Sequence, residues 1–179
     1  MVFADLVDFT RFTERTAPER VVGVLNEIFS AFDRLAEQLG LEKIKTVGDA
    51  YMVVAGLPDP RPDHAAAGAD MALAMQEELG RLRAALNLDL AMRIGMASGP
   101  VIAGVIGRRK FTYDLWGDTV NMASRMESSG LPGRIQVTEV VYERLRSAYG
   151  FEGRGEVEIK GKGRLRTYLL IGRLSAEPG

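Results

Sequence analysis

The order of apolar runs predicts an α+β fold: a ferredoxin-like βαββαβ core with both helices on one sheet face, followed by further helices and a closing β-hairpin. Three observations carry this expectation. Two runs rich in β-branched residues, 41–47 and 50–56, meet at Gly48-Asp49, a dipeptide that turns a tight hairpin. Long stretches with apolar residues at helical spacing precede and follow that hairpin. Leu88, Leu90, Met92, Ile94 and Met96 then alternate strictly, as one face of a strand must. At 179 residues the chain suffices for one domain with a sizeable core. That domain is expected over residues 1–173, with a frayed tail over 174–179.

The elements follow in order. Val2 to Leu6 is a short apolar strand interrupted by Asp5, a carboxylate that is costly there unless a cation pairs with it or the strand end reaches water. Val7-Asp8-Phe9-Thr10 is a turn whose backbone N–H groups can face a phosphate. Thr16-Ala17-Pro18-Glu19 fits a capping box ahead of a long helix with Val21, Leu25, Ile28, Phe29, Phe32, Leu35, Ala36 and Leu39 on one stripe, stopped by Gly40. The central hairpin holds Asp49 at its tip with Lys45 four residues earlier; the two read as site residues or as a surface ion pair. Asp63 caps a second long helix, and His64 reads as an exposed residue of its first turn.

In the next strand Arg93 falls on the face opposite the alternating core residues, where the expected sheet order also brings Asp5 and the hairpin. That face is expected to be open, and a second copy of the chain is the simplest cover for it. Residues 100–107 read as a strand, and Lys110 to Gly117 as an arm rich in aromatic residues, suited to an interface or to packing on its own domain. Asp118 caps a helix carrying Asn121 and Arg125 at i and i+4, a stripe suited to ribose or phosphate, or a solvated polar face. A strand at 134–137, a short helix at 138–147 and a hairpin around Gly161-Lys162-Gly163 close the chain. Lys160 beside those glycines can approach a phosphate, or belong to a charged sheet edge.

Composition excludes several function classes. A net charge of −1 gives no global field for a polyanion, so no nucleic-acid partner is expected. Without cysteine there is no disulfide, thiolate metal site or cysteine nucleophile, and a single histidine argues against a zinc centre or a Ser-His-Asp triad. A carboxylate site would favour harder cations. No run of about eighteen apolar residues exists, so no membrane contact is expected of this segment, and a cytoplasmic location is expected. The abrupt opening on a strand suggests a domain of a longer protein, with a regulatory or membrane region upstream.

Five stretches, in order, resemble the class III nucleotidyl cyclase catalytic domain across nearly the whole chain, in the form of bacterial homodimeric adenylyl cyclases. They are Phe3-Ala4-Asp5-Leu6-Val7-Asp8-Phe9-Thr10, Glu42 to Met52, Tyr113 to Asn121, Ala123-Ser124-Arg125-Met126 and Val157 to Gly163. The resemblance implies that Asp5 and Asp49, with the Leu6 carbonyl, hold two divalent cations, magnesium or manganese. It implies that Lys45 and Asp114, beside Leu115, read the purine, and that the loop at Phe9 and Thr10 meets phosphates. Asn121 would orient the ribose, Arg125 would meet charge on the α-phosphate, and Arg93 and Lys160 would grip the β- and γ-phosphates. Guanylyl cyclases place an acid where Lys45 stands, so the implied substrate is ATP and the products are 3′,5′-cyclic AMP and pyrophosphate. In the family each site lies between two chains packed head to tail, so a homodimer is implied. One departure is Asp8, where many members have glycine. Three rivals are a regulatory nucleotide-binding domain without turnover, a guanylyl cyclase, and a ferredoxin-like module for RNA or protein, which would need stacking aromatics on the open face.

Overall fold

The computed structural model describes residues 1–107 and 112–175. In chain order it contains β1 (Val2–Val7), α1 (Phe9–Glu14), α2 (Pro18–Leu39), β2 (Glu42–Val47), β3 (Ala50–Val54), α3 (His64–Leu86) and β4 (Ala91–Met96). It continues with β5 (Ile102–Ile106), β6 (Thr112–Trp116), α4 (Asp118–Ser128), β7 (Ile135–Thr138), α5 (Glu139–Leu145), β8 (Tyr149–Ile159) and β9 (Gly163–Arg173). The expected core is present as the order β2-β3-β1-β4, and β7, β9 and β8 extend it to one seven-stranded sheet. β5 and β6 form a separate two-stranded arm. Lys110 and Phe111 of the expected arm, and residues 176–179 of the expected tail, lie outside the described residues. Among the described residues no helix is long and apolar enough to cross a membrane.

α2 begins at Pro18, whose fixed φ suits the first helical position and whose missing N–H would have no helical partner there. The capping box expected at Thr16 does not form, because Ala17 is the N-cap. Gly40, at φ 67°, ends the helix as expected, and the Leu41 N–H reaches back to the Ala36 carbonyl at 2.8 Å. One face of the sheet is covered by α2 and α3. Ile28 and Phe32 of the first and Met71 and Met75 of the second are buried with Val2, Ala4, Leu6, Tyr51, Met92, Ile94 and Met96 of the strands. Each such large side chain contributes about 2 kcal/mol from burial.

Two readings of the α3 start need correction. Asp63 is the N-cap, but its carboxylate is held by Arg61 at 2.7 Å instead of capping. His64 is half-buried, not exposed, with its ring nitrogens 3.1 Å from the Arg61 carbonyl and 3.1 Å from the Ser98 hydroxyl.

The opposite face of the core sheet is not open as expected, because α4 lies across β4 and β1. Gly95 is what permits this. A Cβ there would stand 2.0 Å from the Glu127 backbone nitrogen and 2.4 Å from the Ala123 carbonyl oxygen. A smaller second core forms under this helix from Met52, Val54, Ala97, Leu115 and Ala123. Gly117, not Asp118, is the N-cap of α4; Asp118 sits in its first turn and pairs with Lys162 at 2.5 Å. That pair ties the β8–β9 turn to the start of α4.

Candidate active site

β1 alternates, so Ala4 and Leu6 enter the core and Asp5 turns to the other face. In register Asp5 stands beside Ala50 of β3 on one side and Arg93 of β4 on the other. Asp49 precedes Ala50 in the β2–β3 turn, where Gly48 takes φ 61° and lets the chain reverse tightly. The two carboxylates thereby line the same cleft. Burial pushes the Asp49 carboxyl above its usual value, the charge of Asp5 pushes it further, and Arg93 pulls weakly against both. Arg93 donates from Nη2 to Asp5 Oδ2 at 3.2 Å.

Asp5, Leu6, Phe9, Thr10, Asp49 and Arg93 all line one open cleft of about 590 Å³, joined by Asp8. Leu6 is buried by its side chain, which leaves its carbonyl as the group that can face the cleft. These are hard oxygen donors. Among the described residues no cluster of three or more histidine, cysteine, aspartate or glutamate side chains gathers around a metal position. Two mutually repelling carboxylates plus a carbonyl fit magnesium or manganese, ions that keep waters and take phosphate oxygens for the rest of their coordination.

Asp8 explains how the chain leaves β1 for the cleft. It takes φ 59°, the left-handed region that favours glycine and that aspartate tolerates better than most residues. The expected turn at 7–10 is therefore a single residue followed at once by α1, a short helix that the sequence pattern missed. The Phe9 ring packs on the core and 5.9 Å from Phe12. The backbone N–H groups at the start of α1 have no partner one turn earlier within the helix.

A second group lies elsewhere on the chain. The β2–β3 register shifts between Lys43 and Lys45, and Lys45 pairs with Asp114 of β6, Nζ to Oδ2, at 2.5 Å. It does not pair with Asp49, so the hairpin ion pair is corrected. The Lys45 hydrogen bond holds the Asp114 carboxyl below its usual value, and the Leu115 N–H donates to its other oxygen at 2.8 Å. Leu115 itself is buried, so only its backbone faces this pair. Asn121 is exposed and Arg125 half-buried along one stripe of α4, and Lys160 is exposed at the end of β8 near the Lys162 to Asp118 tie. Among the described residues, no hydrogen bond or ion pair joins the Asp5, Asp49 and Arg93 group to Lys45, Asp114, Asn121, Arg125 or Lys160.

The sequence reading missed Glu127. Its side chain is 12% exposed, with Oε1 3.1 Å from Arg93 Nε. The two atoms are poorly aligned, and each is buried without a hydrogen-bond partner. Burial and then the charge of Asp5 push the Glu127 carboxyl up to about 7, against the pull of Arg93. A signal existed: Ala123, Met126 and Glu127 stand at i, i+3 and i+4, the inward stripe of the helix.

Comparison with known proteins agrees with this fold. The chain is 51% identical over 180 residues to an adenylate cyclase of Mycobacterium tuberculosis, and spans 41% of the length of that relative. It superposes on the guanylate cyclase domain of RhGC from Catenaria anguillulae, solved in complex with GTP, with TM-score 0.92 and 36% identity, covering 97% of this chain and 95% of that one. On the adenylyl cyclase CyaB from P. aeruginosa the TM-score is also 0.92, at 26% identity, covering 98% of this chain and 93% of that one. The family model for the adenylate and guanylate cyclase catalytic domain matches residues 1–172. With that match running through nearly every element, this chain belongs to the adenylate and guanylate cyclase catalytic domain family.

Proposed function

We propose that the chain is an adenylyl cyclase domain, converting ATP to 3′,5′-cyclic AMP and pyrophosphate in sites shared by two copies packed head to tail. The observation that carries the choice of ATP is the Lys45 to Asp114 pair. Adenine offers an acceptor at N1 and a donor at N6, which an ammonium and a carboxylate match, whereas guanine presents O6 and N1–H. Lys45 is the group that guanine would leave without its proper complement, and a mismatch of buried polar groups is strongly rejected.

In this reading Asp5, Asp49 and the Leu6 carbonyl hold two divalent cations, which when bound acidify the ribose 3′-hydroxyl and offset triphosphate charge. Arg93, with the backbone at Phe9 and Thr10, holds the β- and γ-phosphates from the same chain. The other copy supplies Lys45 and Asp114 to the base, Asn121 to the ribose, Arg125 to the α-phosphate and Lys160 to the triphosphate. No side chain stands out as a general base, so positioning and electrostatics supply most of the rate. The arm β5–β6, on which Ile102, Val105, Ile106 and Trp116 are exposed, supports a second copy as partner.

We also infer that residues 1–173 act as one catalytic domain of a longer, cytoplasmic or membrane-anchored signalling protein, as the share of its relatives that it spans suggests. The test is product identification with ATP and with GTP, in magnesium and in manganese. Cyclic AMP from the wild type is expected, and Lys45→Glu should lower ATP turnover by at least about tenfold relative to GTP. Formation of 3′,5′-cyclic GMP from GTP in preference to cyclic AMP from ATP by the unaltered chain overturns the assignment of the base.

A further inference from the structure

Glu127 has no place in the reaction as described, yet it is a charged side chain buried on the helix that covers the cleft's sheet. Gly95 allows that helix to touch β4 by backbone alone, and so sets Glu127 over Arg93, two residues away on the same strand face. Arg93 is thus held between two carboxyl groups, Asp5 Oδ2 at 3.2 Å from Nη2 and Glu127 Oε1 at 3.1 Å from Nε.

We propose that Glu127 is a positioning residue: it anchors Arg93 by Nε so that the outer nitrogens of the guanidinium are presented to the phosphates of the nucleotide. This rests on the reading of Arg93 as a phosphate-binding group. The guanidinium has a fixed fork, and fixing one of its edges orients the other. Without Glu127, Arg93 would have only Asp5 as a partner, and the cation ligand and the phosphate ligand would lock on each other. Glu127 keeps an oxygen toward Nε whether ionised or protonated, so the anchoring does not depend on its charge. Glutamine, with an amide oxygen in the same place, should therefore serve nearly as well.

The experiment measures binding of inorganic pyrophosphate and of adenosine by calorimetry in manganese, to the wild type, Glu127→Ala and Glu127→Gln, with steady-state kinetics on ATP alongside. Glu127→Ala should weaken pyrophosphate about tenfold, because it removes a polar partner 3.1 Å from a partly buried guanidinium and leaves that edge of Arg93 unheld. It should raise KM more than it lowers kcat, and leave adenosine binding within about twofold. Glu127→Gln should restore pyrophosphate binding to near the wild-type value. Pyrophosphate binding unchanged in Glu127→Ala, adenosine binding lost in proportion, or Glu127→Gln no better than alanine overturns the inference while leaving the cyclase reading intact. Failure of the wild type to bind pyrophosphate overturns the reading of the cleft and this inference with it.

Discussion

Asp49 and Asp114 carry the same carboxyl group into opposite surroundings. Asp49 is pushed above its usual value by burial and by its neighbour Asp5, while Asp114 is held below it by Lys45. One is a group short of positive charge, ready for a cation. The other is already satisfied, and under the proposed function it exchanges part of its bond to Lys45 for a purine edge when a base arrives. On that proposal the first group serves tight attraction and the second discrimination, since a base that cannot replace the lost contact gains nothing.

If the two regions serve one reaction only across two chains, Asp49→Ala and Asn121→Ala should each lose about 10²- to 10³-fold in turnover. An equal mixture should then recover about a quarter of wild-type activity, because half the dimers would be mixed and each would hold one intact site. A mixture as inactive as its parents breaks the comparison. The next effect is on stability and concerns the cleft side alone. Gly95→Ala drives a Cβ into the backbone of α4, which cannot swing aside, and should cost about 3 kcal/mol. Thermal unfolding reads this, and an unchanged midpoint would mean that α4 does not press on β4.

The smallest effect sharpens the contrast with a third carboxylate, Asp70 of α3, whose partners are Arg173 and Tyr149. Burial raises the Asp70 carboxyl, but hydrogen bonds from Arg173 at 2.5 Å and Tyr149 at 2.8 Å more than offset it, so it lies below its usual value. A lowered folded value stabilises above about pH 4 and is lost as pH falls through it. Asp70→Asn should therefore lower the unfolding free energy at neutral pH by under about 1 kcal/mol, given the exposure of Arg173, and the gap should close in acid. A gap that widens in acid would reverse the sign assigned to this group.

The hairpin, the placement of Asp5 and Arg93 on one face, and the two long helices were legible because period and turn chemistry are local. The Lys45 to Asp114 contact spans 69 residues, and no spacing rule joins them; only the resemblance did. α1 was invisible because six residues carry too little periodicity to register. Glu127 was passed over because a glutamate on a helix usually faces water. Its burial depends on a glycine in a strand more than thirty residues earlier, and the same glycine closed the face that the alternation of β4 left open.

The left-handed bend at Asp8 has one more consequence. Aspartate and glycine codons differ by a single base, and both residues tolerate that backbone angle. The negative charge at the rim can thus be gained or lost in one mutational step without rebuilding the path from sheet to helix, which leaves the cleft's affinity for anions open to gradual adjustment over evolutionary time.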